Sequence, residues 1–319
     1  MDAGPEDGGR PPLVSVTVPC YGQAALARRG LETILAQTLP DLELTLLDDG
    51  PSDDYRDLAA SLRDPRVRYR PNPERLGAMA NMFRAIHTGR GRYALAFHED
   101  DLLGRHYLAT AVDLLERHPR CGFVAAELRE FTAEPSEAEL AAAPTGPAPE
   151  WYAGPADFVR ALCRGRNPMF GSVVYRRRAL ASAEAAHDRY GTLVDRPFLL
   201  SILRAHEAAL VAAPMAWYRR HGAGDTRHRG MSAAHILRLF SAYRAALPAP
   251  LGAEDREALY AFAGYWLVAL YALLPARGRP PLGWFLWRAW RAGVWDPRWQ
   301  RGYGRRQVLK AVLGAGLRA

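Results

Sequence analysis

The sequence predicts an α/β fold, a mixed but mainly parallel sheet set between helices, with a helical C-terminal extension. Three observations lead there. From residue 13 to residue 126, short apolar β-branched runs alternate with segments of helical period, the signature of successive βαβ units. Two of those runs end in acids, Asp48-Asp49 and Glu99-Asp100-Asp101, and another in the polar group Cys20-Tyr21-Gly22-Gln23; open parallel sheets bind ligands beyond the carboxyl ends of their strands. From residue 232 onward every periodic stretch is helical.

Taken in order, 13–18 is a β-branched run closed by Pro19 and reads as a buried strand. A helix follows over 24–37, with Ala27, Leu31, Ile34 and Leu35 on one face. Residues 43–47 form a second strand, 53–62 a helix and 67–69 a brief third strand. In 77–88, Met79, Met82, Phe83 and Ile86 fall at i, i+3, i+4 and i+7, which makes a helix. A fourth strand over 93–97 runs into His98 and the acidic triplet, before a helix over 105–117 and a strand over 122–126. The stretch 132–150, rich in Ala, Pro and Glu, reads as an exposed loop. Pattern resumes with a helix over 155–163, a strand over 171–175, a helix over 196–205 and a further strand within 208–218. Helices are then expected over 232–246, 254–274, 282–292 and 305–317, punctuated by Pro248, Pro250, Pro280 and Pro281. There is no internal repeat.

A chain of 319 residues with 49% hydrophobic residues can bury a substantial core. Cys20, Cys121 and Cys163 are the only cysteines and form no paired spacing, which argues against a disulfide framework or a cysteine zinc site and for a reducing, cytoplasmic setting. Lys310 is the single lysine among 42 basic residues, and the net charge is +8; nucleic acid, an anionic membrane face and phosphorylated substrates are the partners that such a balance favours. No nucleic-acid-binding motif accompanies the arginines, so nucleic acid is set aside. No uninterrupted apolar run reaches membrane-spanning length. Residues 1–12 read as a disordered leader, acidic and Gly-rich at the start and without the features of a signal peptide.

Three consecutive carboxylates at the end of a buried strand repel one another unless a cation sits among them. Glu99-Asp100-Asp101 therefore suits a divalent ion with hard oxygen ligands and phosphate oxygens, or else acids at the positive end of the following helix. Asp48-Asp49-Gly50-Pro51-Ser52-Asp53 reads either as a turn with a helix cap or as an acid that takes hydrogen bonds from a ribose or base edge. Near the C-terminus, Trp284, Trp287, Trp290, Trp295 and Trp299 alternate with Arg288, Arg291, Arg298 and Arg301, followed by Arg305, Arg306 and Lys310. Such a segment fits peripheral contact with an anionic membrane, at its inner face in a cytoplasmic protein, or a helical subdomain that packs its tryptophans inward.

The order of these features is more specific than any one of them. A strand ending in Pro19-Cys20-Tyr21 precedes one ending in Asp48-Asp49-Gly50. Asn72-Pro73-Glu74-Arg75-Leu76-Gly77 then opens a helix carrying Asn81, and a strand ending in the acidic triplet follows. Over residues 14–130 this resembles the N-terminal half of the family 2 glycosyltransferases, which have the GT-A nucleotide-diphospho-sugar transferase fold. The resemblance implies a catalytic domain over 13–225, with a nucleotide-binding half (13–130) and an acceptor half (151–225), and a helical region over 226–319. It implies an inverting, metal-assisted transfer from a UDP- or dTDP-type nucleotide sugar to a hydroxyl acceptor, the acceptor being open among glycan, lipid-linked and natural-product classes. Pro19 and Tyr21 would flank the base, Asp48 and Asp49 would contact base and ribose, and Arg75 would lie beside the base. Glu99-Asp100-Asp101 would be the DxD-like element, with Asp100 and Asp101 as ligands of Mn²⁺ or Mg²⁺ and Glu99 or Asp100 also touching the donor. Asp195 would be the general base, and His221, in Tyr218-Arg219-Arg220-His221, a metal or diphosphate contact. The chain departs from the family pattern at His98, where many relatives carry Asp, and at Glu99, where the residue is usually small.

Two competing readings stand beside this one. A sugar nucleotidyltransferase shares such a sheet but opens with a Gly-rich, basic triphosphate loop, which Val18-Pro19-Cys20-Tyr21-Gly22 lacks. A catalytically inactive nucleotide-sugar-binding or scaffold module fits the changes at His98 and Glu99, and the retained Asp100, Asp101 and Asp195 weigh against it.

Overall fold

The structure, a computed structural model, describes residues 10–22, 24–213, 215–220 and 231–296. In chain order the elements are β1 (Val14–Cys20), α1 (Ala24–Leu35), β2 (Leu42–Asp48), α2 (Asp54–Ser61), β3 (Val67–Pro71), α3 (Ala78–His87), β4 (Tyr93–Ala96), β5 (Leu102–Leu103), α4 (Tyr107–Arg117), β6 (Cys121–Ala126), β7 (Arg129–Phe131), α5 (Glu137–Ala141), β8 (Glu150–Tyr152), α6 (Pro155–Cys163), β9 (Val174–Arg176), α7 (His187–Tyr190), α8 (Asp195–Leu203), β10 (Glu207–Val211), β11 (Ala216–Arg219), α9 (Ala233–Ala246), α10 (Ala253–Ala272) and α11 (Leu282–Arg291). They form two compact units, one drawn from Met1–Glu150, Pro168–Ala181 and Ala209–Arg220, the other from Trp151–Asn167, Ser182–Ala208 and His221–Ala319.

In the first unit the strands lie in the order β3-β2-β1-β4-β9-β6-β10. β1 runs parallel to both β2 and β4, and β2 parallel to β3, whereas β9 is antiparallel to β4 and β6. The sheet is thus mixed and mainly parallel in its N-terminal strands, the fold class that the alternating pattern predicts. Period-two alternation sorts its faces. Val14, Val16, Val18, Leu42, Leu44 and Leu46 join Ala27, Leu31 and Ile34 of α1, Tyr55 and Leu58 of α2 and Leu108, Ala111 and Leu115 of α4 in one apolar cluster. The intervening Ser15, Thr17, Glu43 and Thr45 are buried as well. Glu43 is satisfied there by the Ser15 hydroxyl at 2.6 Å and the Arg90 amide at 3.0 Å, as a buried carboxylate must be.

Gln37 closes the turn after α1. Its amide nitrogen donates to the carbonyls of Thr33 and Gly104 at 3.1 and 2.8 Å, and its oxygen accepts from the Leu108 amide at 2.9 Å. These bonds tie α1 to the segment that leads from the acidic triplet into α4. A second, three-stranded sheet, β5-β11-β7, is not evident from periodicity because β5 has only two residues. The stretch 132–150 is likewise not all loop. Ser136 accepts from the Glu139 amide and Glu139 from the Ser136 amide, a capping box that starts α5.

Among its described residues the second unit is mainly helical. Arg160 of α6 donates from Nε and Nη2 to Asp255 of α10 at 2.8 and 2.9 Å, a bidentate pair. Phe240 and Tyr243 of α9 stack edge-on and meet Phe262 of α10. Helices α9, α10 and α11 match the expected 232–246, 254–274 and 282–292 closely; the helix expected over 305–317 lies outside the described residues. Among the described residues no helix is long and apolar enough to cross a membrane, and all three cysteines are free thiols.

Candidate functional site

Parallel register brings the ends of three strands together. Cys20 at the end of β1 pairs with Asp48 at the end of β2, and Thr17 with Ala96 at the end of β4. The polar turn after β1, the Asp48-Asp49 turn and the acidic triplet therefore share the carboxyl edge of the sheet, where α/β proteins hold ligands.

Asp48 and Asp49 shape this edge from within. Asp48 is 1% exposed; its Oδ1 accepts from the Gly50 amide at 2.9 Å and its Oδ2 from the Tyr69 hydroxyl at 3.0 Å. Asp49 is 5% exposed. It accepts from Asn72 Nδ2 at 2.8 Å and from the amides of Leu76 and Gly77, both at 2.7 Å. Asn72 also donates to Asn81 Oδ1 at 2.9 Å, and Asn81 to the Leu47 carbonyl at 3.1 Å. The segment 72–77 is thereby moored to the end of β2, turning into α3 through Gly77 at φ 84°. The mooring holds Arg75, whose guanidinium lies 4.4 Å over the ring of Tyr21. Tyr21 remains 42% exposed, Arg75 is exposed and Pro19 partly so.

The acidic triplet is a clamped turn in which each carboxylate has a different environment. Glu99 accepts from the Tyr21 amide at 3.1 and 3.3 Å and from the Tyr55 hydroxyl. Burial pushes its carboxyl up to about 7, against the pull of those two donors. Asp101 has no exposed surface; its Oδ2 lies 2.9 Å from His98 Nδ1 and its Oδ1 accepts from the Arg219 amide at 2.9 Å. Burial alone would lower the His98 pKa, but the hydrogen bond to Asp101 and the neighbouring carboxylates outweigh it and hold the imidazole above its ordinary value. His98 thus shares its Nδ1 with Asp101 beside the acids. Arg219 of β11 supplies a cation: its Nε donates to the Asp100 carbonyl at 2.8 Å, and its guanidinium pairs with Glu134 and lies 4.7 Å over Phe131. Asp100 sits at the bend, partly buried. The triplet does not cap the following helix, because β5 intervenes and α4 begins at Tyr107 with no acid in its first turn. Cys20, beneath the turn, is fully buried, and burial together with Glu99 and Asp48 raises its thiol well above the usual range, so it is no nucleophile.

Close approach makes this turn possible. A Cβ on Gly30 of α1 would stand 2.7 Å from the Asp101 carbonyl and 3.2 Å from that of Glu99, and one on Gly171 would stand 2.9 Å from His98 Nδ1. Gly30, Gly171 and Tyr55 escape sequence reading as site residues. A glycine inside an apolar helical stretch was the available signal for Gly30; nothing local marks the other two. Arg219 was visible only as part of a basic segment.

Pro19, Tyr21, Asp48, Asp49, Arg75, Glu99, Asp100 and Asp101 all belong to the first unit. Asp195 belongs to the second, as the first residue of α8, partly buried and 3.8 Å from Arg196 Nε. The N-cap of that helix is Val194, with Asp195 in its first turn, and Arg196 donates to Asn167 Oδ1 at 2.6 Å. His221 lies outside the described residues. Among the described residues no three of His, Cys, Asp and Glu are gathered as a metal cage. An ion that takes one or two carboxylates and completes its shell with phosphate oxygens and water needs none, and the oxygen-rich turn around Asp100 has the donor chemistry for it.

The sequence profile described as glycosyl transferase family 2 matches residues 15–180, just over half of the chain. The putative colanic acid biosynthesis glycosyl transferase WcaA of Escherichia coli is 29% identical over 92 residues, 28% of this chain and 33% of that protein. Staphylococcus aureus TarS 1-349, solved in complex with UDP-GlcNAc, superposes with a TM-score of 0.58 at 12% identity, covering 94% of this chain and 92% of that one. The mannosyltransferase PcManGT of Pyrobaculum calidifontis, solved with GDP-Man and Mn²⁺, superposes at 0.51 with 19% identity, covering 97% and 88%. At these identities the superpositions show a shared fold. The matched segments span 29%, 12% and 33% of three curated relatives' own lengths, so those relatives share a segment with this chain and not a whole protein.

Proposed function

The chain belongs to glycosyl transferase family 2, and from that premise we propose that it transfers a sugar from a nucleoside-diphosphate donor to a hydroxyl acceptor with inversion at the anomeric carbon. The observation that carries the proposal is the clamped acidic turn at the carboxyl edge of the sheet, set beside the exposed Tyr21–Arg75 pair. Tyr21 and Arg75 offer a flat, cationic platform for a base, with Pro19 at its edge. Asp48 and Asp49 build the crevice wall, the latter by holding 72–77, and are the acids nearest to where base and ribose would lie. UDP- and dTDP-type donors are the ones this pocket is assigned.

Asp100 is assigned to the metal and the donor diphosphate. Both oxygens of Asp101 are taken up by His98 and the Arg219 amide, so Asp101 supports Asp100 from behind. Glu99 is held by Tyr21 and Tyr55 and orients the base platform. Asp100 would hold Mn²⁺ or Mg²⁺, which would supply charge neutralisation for the leaving diphosphate, and His221 is a further candidate for that region. Asp195 accepts the proton of the acceptor hydroxyl as its oxygen bonds to the anomeric carbon. The bond from that carbon to the diphosphate oxygen breaks on the opposite side, and its electron pair leaves with the nucleoside diphosphate.

The test is thermal denaturation of the full chain with UDP, dTDP, GDP and their sugars, each with Mn²⁺, Mg²⁺ or chelator. Ligands that bind only the folded state raise the melting temperature by mass action. Metal-dependent stabilisation by one nucleoside diphosphate is expected, with slow metal-dependent release of sugar from its donor. Stabilisation without any turnover would favour a binding module, and no stabilisation by any nucleotide would refute the site.

A further inference from the structure

Helix α11 wears its aromatic side chains on the outside. It buries Phe285 and Ala289, while Trp284, Trp287 and Trp290 are 47%, 49% and 47% exposed. An ordinary surface helix turns its large apolar side chains inward and its polar ones out. Trp284, Trp287, Arg288 and Arg291 stand at i, i+3, i+4 and i+7 and so share one stripe. The Arg288 guanidinium lies 5.3 Å over Trp284 and that of Arg291 5.7 Å over Trp287. The stripe is held in place by packing behind it: the Tyr271 ring of α10 lies 5.2 Å from Phe285, and its hydroxyl donates to the Pro280 carbonyl at 2.6 Å. α10 itself adds Tyr265 and Trp266, 40% and 42% exposed, and Leu273 follows it at 48%.

Charge selects the occupant. Between Glu257 and Asp296 the chain has no acidic residue and four arginines, Arg277, Arg279, Arg288 and Arg291. A two-fold contact between copies would set these arginines against themselves. An anionic bilayer answers both halves of the surface, since indole rings settle at the headgroup level and arginines pair with lipid phosphates. We propose that α11 is an interfacial helix that docks the protein on an anionic lipid surface, with Trp284, Trp287 and Trp290 entering the headgroup boundary and Arg288 and Arg291 on the phosphates. The proposal stands apart from the transferase reading, because none of these residues belongs to the donor site.

The test is co-sedimentation of the full chain with phosphatidylcholine vesicles, with and without phosphatidylglycerol, at low and high salt. Wild type is compared with Trp284→Ser/Trp287→Ser and with Arg288→Gln/Arg291→Gln. All four positions are exposed, so unchanged melting temperatures are expected for both variants. Wild type should pellet with the anionic vesicles, with binding weakened by salt, and each double variant should lower its partition coefficient by ~10-fold or more. A wild-type protein that stays in the supernatant with anionic vesicles, or variants that pellet as wild type does, would overturn the proposal. So would a wild type that sediments as a dimer which the tryptophan variant dissociates.

Discussion

Replacing Asp49 probes whether the donor crevice is built by the protein's own hydrogen bonds. Asp49 accepts from Asn72, Leu76 and Gly77 at 2.8, 2.7 and 2.7 Å and is 5% exposed. A hydrogen bond to a charged group contributes about 1.5–3 kcal/mol. The three would sum to more than is lost in practice, because the Leu76 and Gly77 amides are only partly buried and regain water once released. Asp49→Ala is therefore expected to destabilise the protein by about 3–4 kcal/mol. Asp49→Asn keeps one acceptor oxygen but turns an NH₂ group toward a donor, for a loss of about 2 kcal/mol. Urea denaturation of the ligand-free protein reads the loss, and amide exchange at Leu76 and Gly77 locates it. Nucleotide affinity should fall with it, because Arg75 loses its mooring. If Asp49 serves only as a direct ligand contact, affinity falls while stability and exchange stay as in wild type. An Asp49→Asn stability change within about 0.5 kcal/mol and unaltered exchange at both amides would refute the mooring argument.

Three further outcomes follow from the same geometry. Asp100→Asn should reduce turnover by ~100-fold or more through lost charge stabilisation while leaving the melting temperature unchanged; near-wild-type turnover would remove Asp100 from the site. Glu99 has a folded pKa of about 7, above the ordinary carboxyl value, so its contribution to stability is fully present below the unfolded pKa and is lost as pH rises through 7. Glu99→Gln, the neutral isostere, should match wild type at pH 4 and exceed it at pH 8 by at most about 3 kcal/mol in the metal-free protein; parallel stability curves would contradict this. Gly30→Ala gains about 1 kcal/mol of helix propensity but drives a Cβ to 2.7 Å from the Asp101 carbonyl. Net destabilisation with a weakened nucleotide-induced rise in melting temperature is expected, and a more stable protein with normal nucleotide response would show that the turn is free to move.

Local pattern carried the sequence reading where side chains face a period. The run 13–18 and the apolar stripe of 77–88 became β1 and α3 because burial on one side of a strand or helix repeats every two or about 3.6 residues. The acids were legible for the same reason: Asp48-Asp49 and the triplet interrupt apolar runs at strand ends, and parallel strands put such ends on one edge. The two-residue β5 and the three-residue β7 lie below the length at which any period shows. The capping box at Ser136 and Glu139 was readable, but the Ala- and Pro-rich composition around it read as loop.

By itself, then, the sequence determined the βαβ order, the edge at which the acids gather and the helical character of residues 232–292, since each depends on neighbours within a few residues. Tertiary structure alone decided what each carboxylate does. Asp101 is engaged by an amide 118 positions away, at Arg219, and Glu99 by a hydroxyl 44 positions away, at Tyr55. It also decided that the tryptophans of α11 face outward, because Phe285 and Ala289 fill the place against the helices behind. A residue's neighbours in sequence set its period, but the partners of a buried charge, and the side of a helix that finds no partner, are set by packing between elements far apart in the chain.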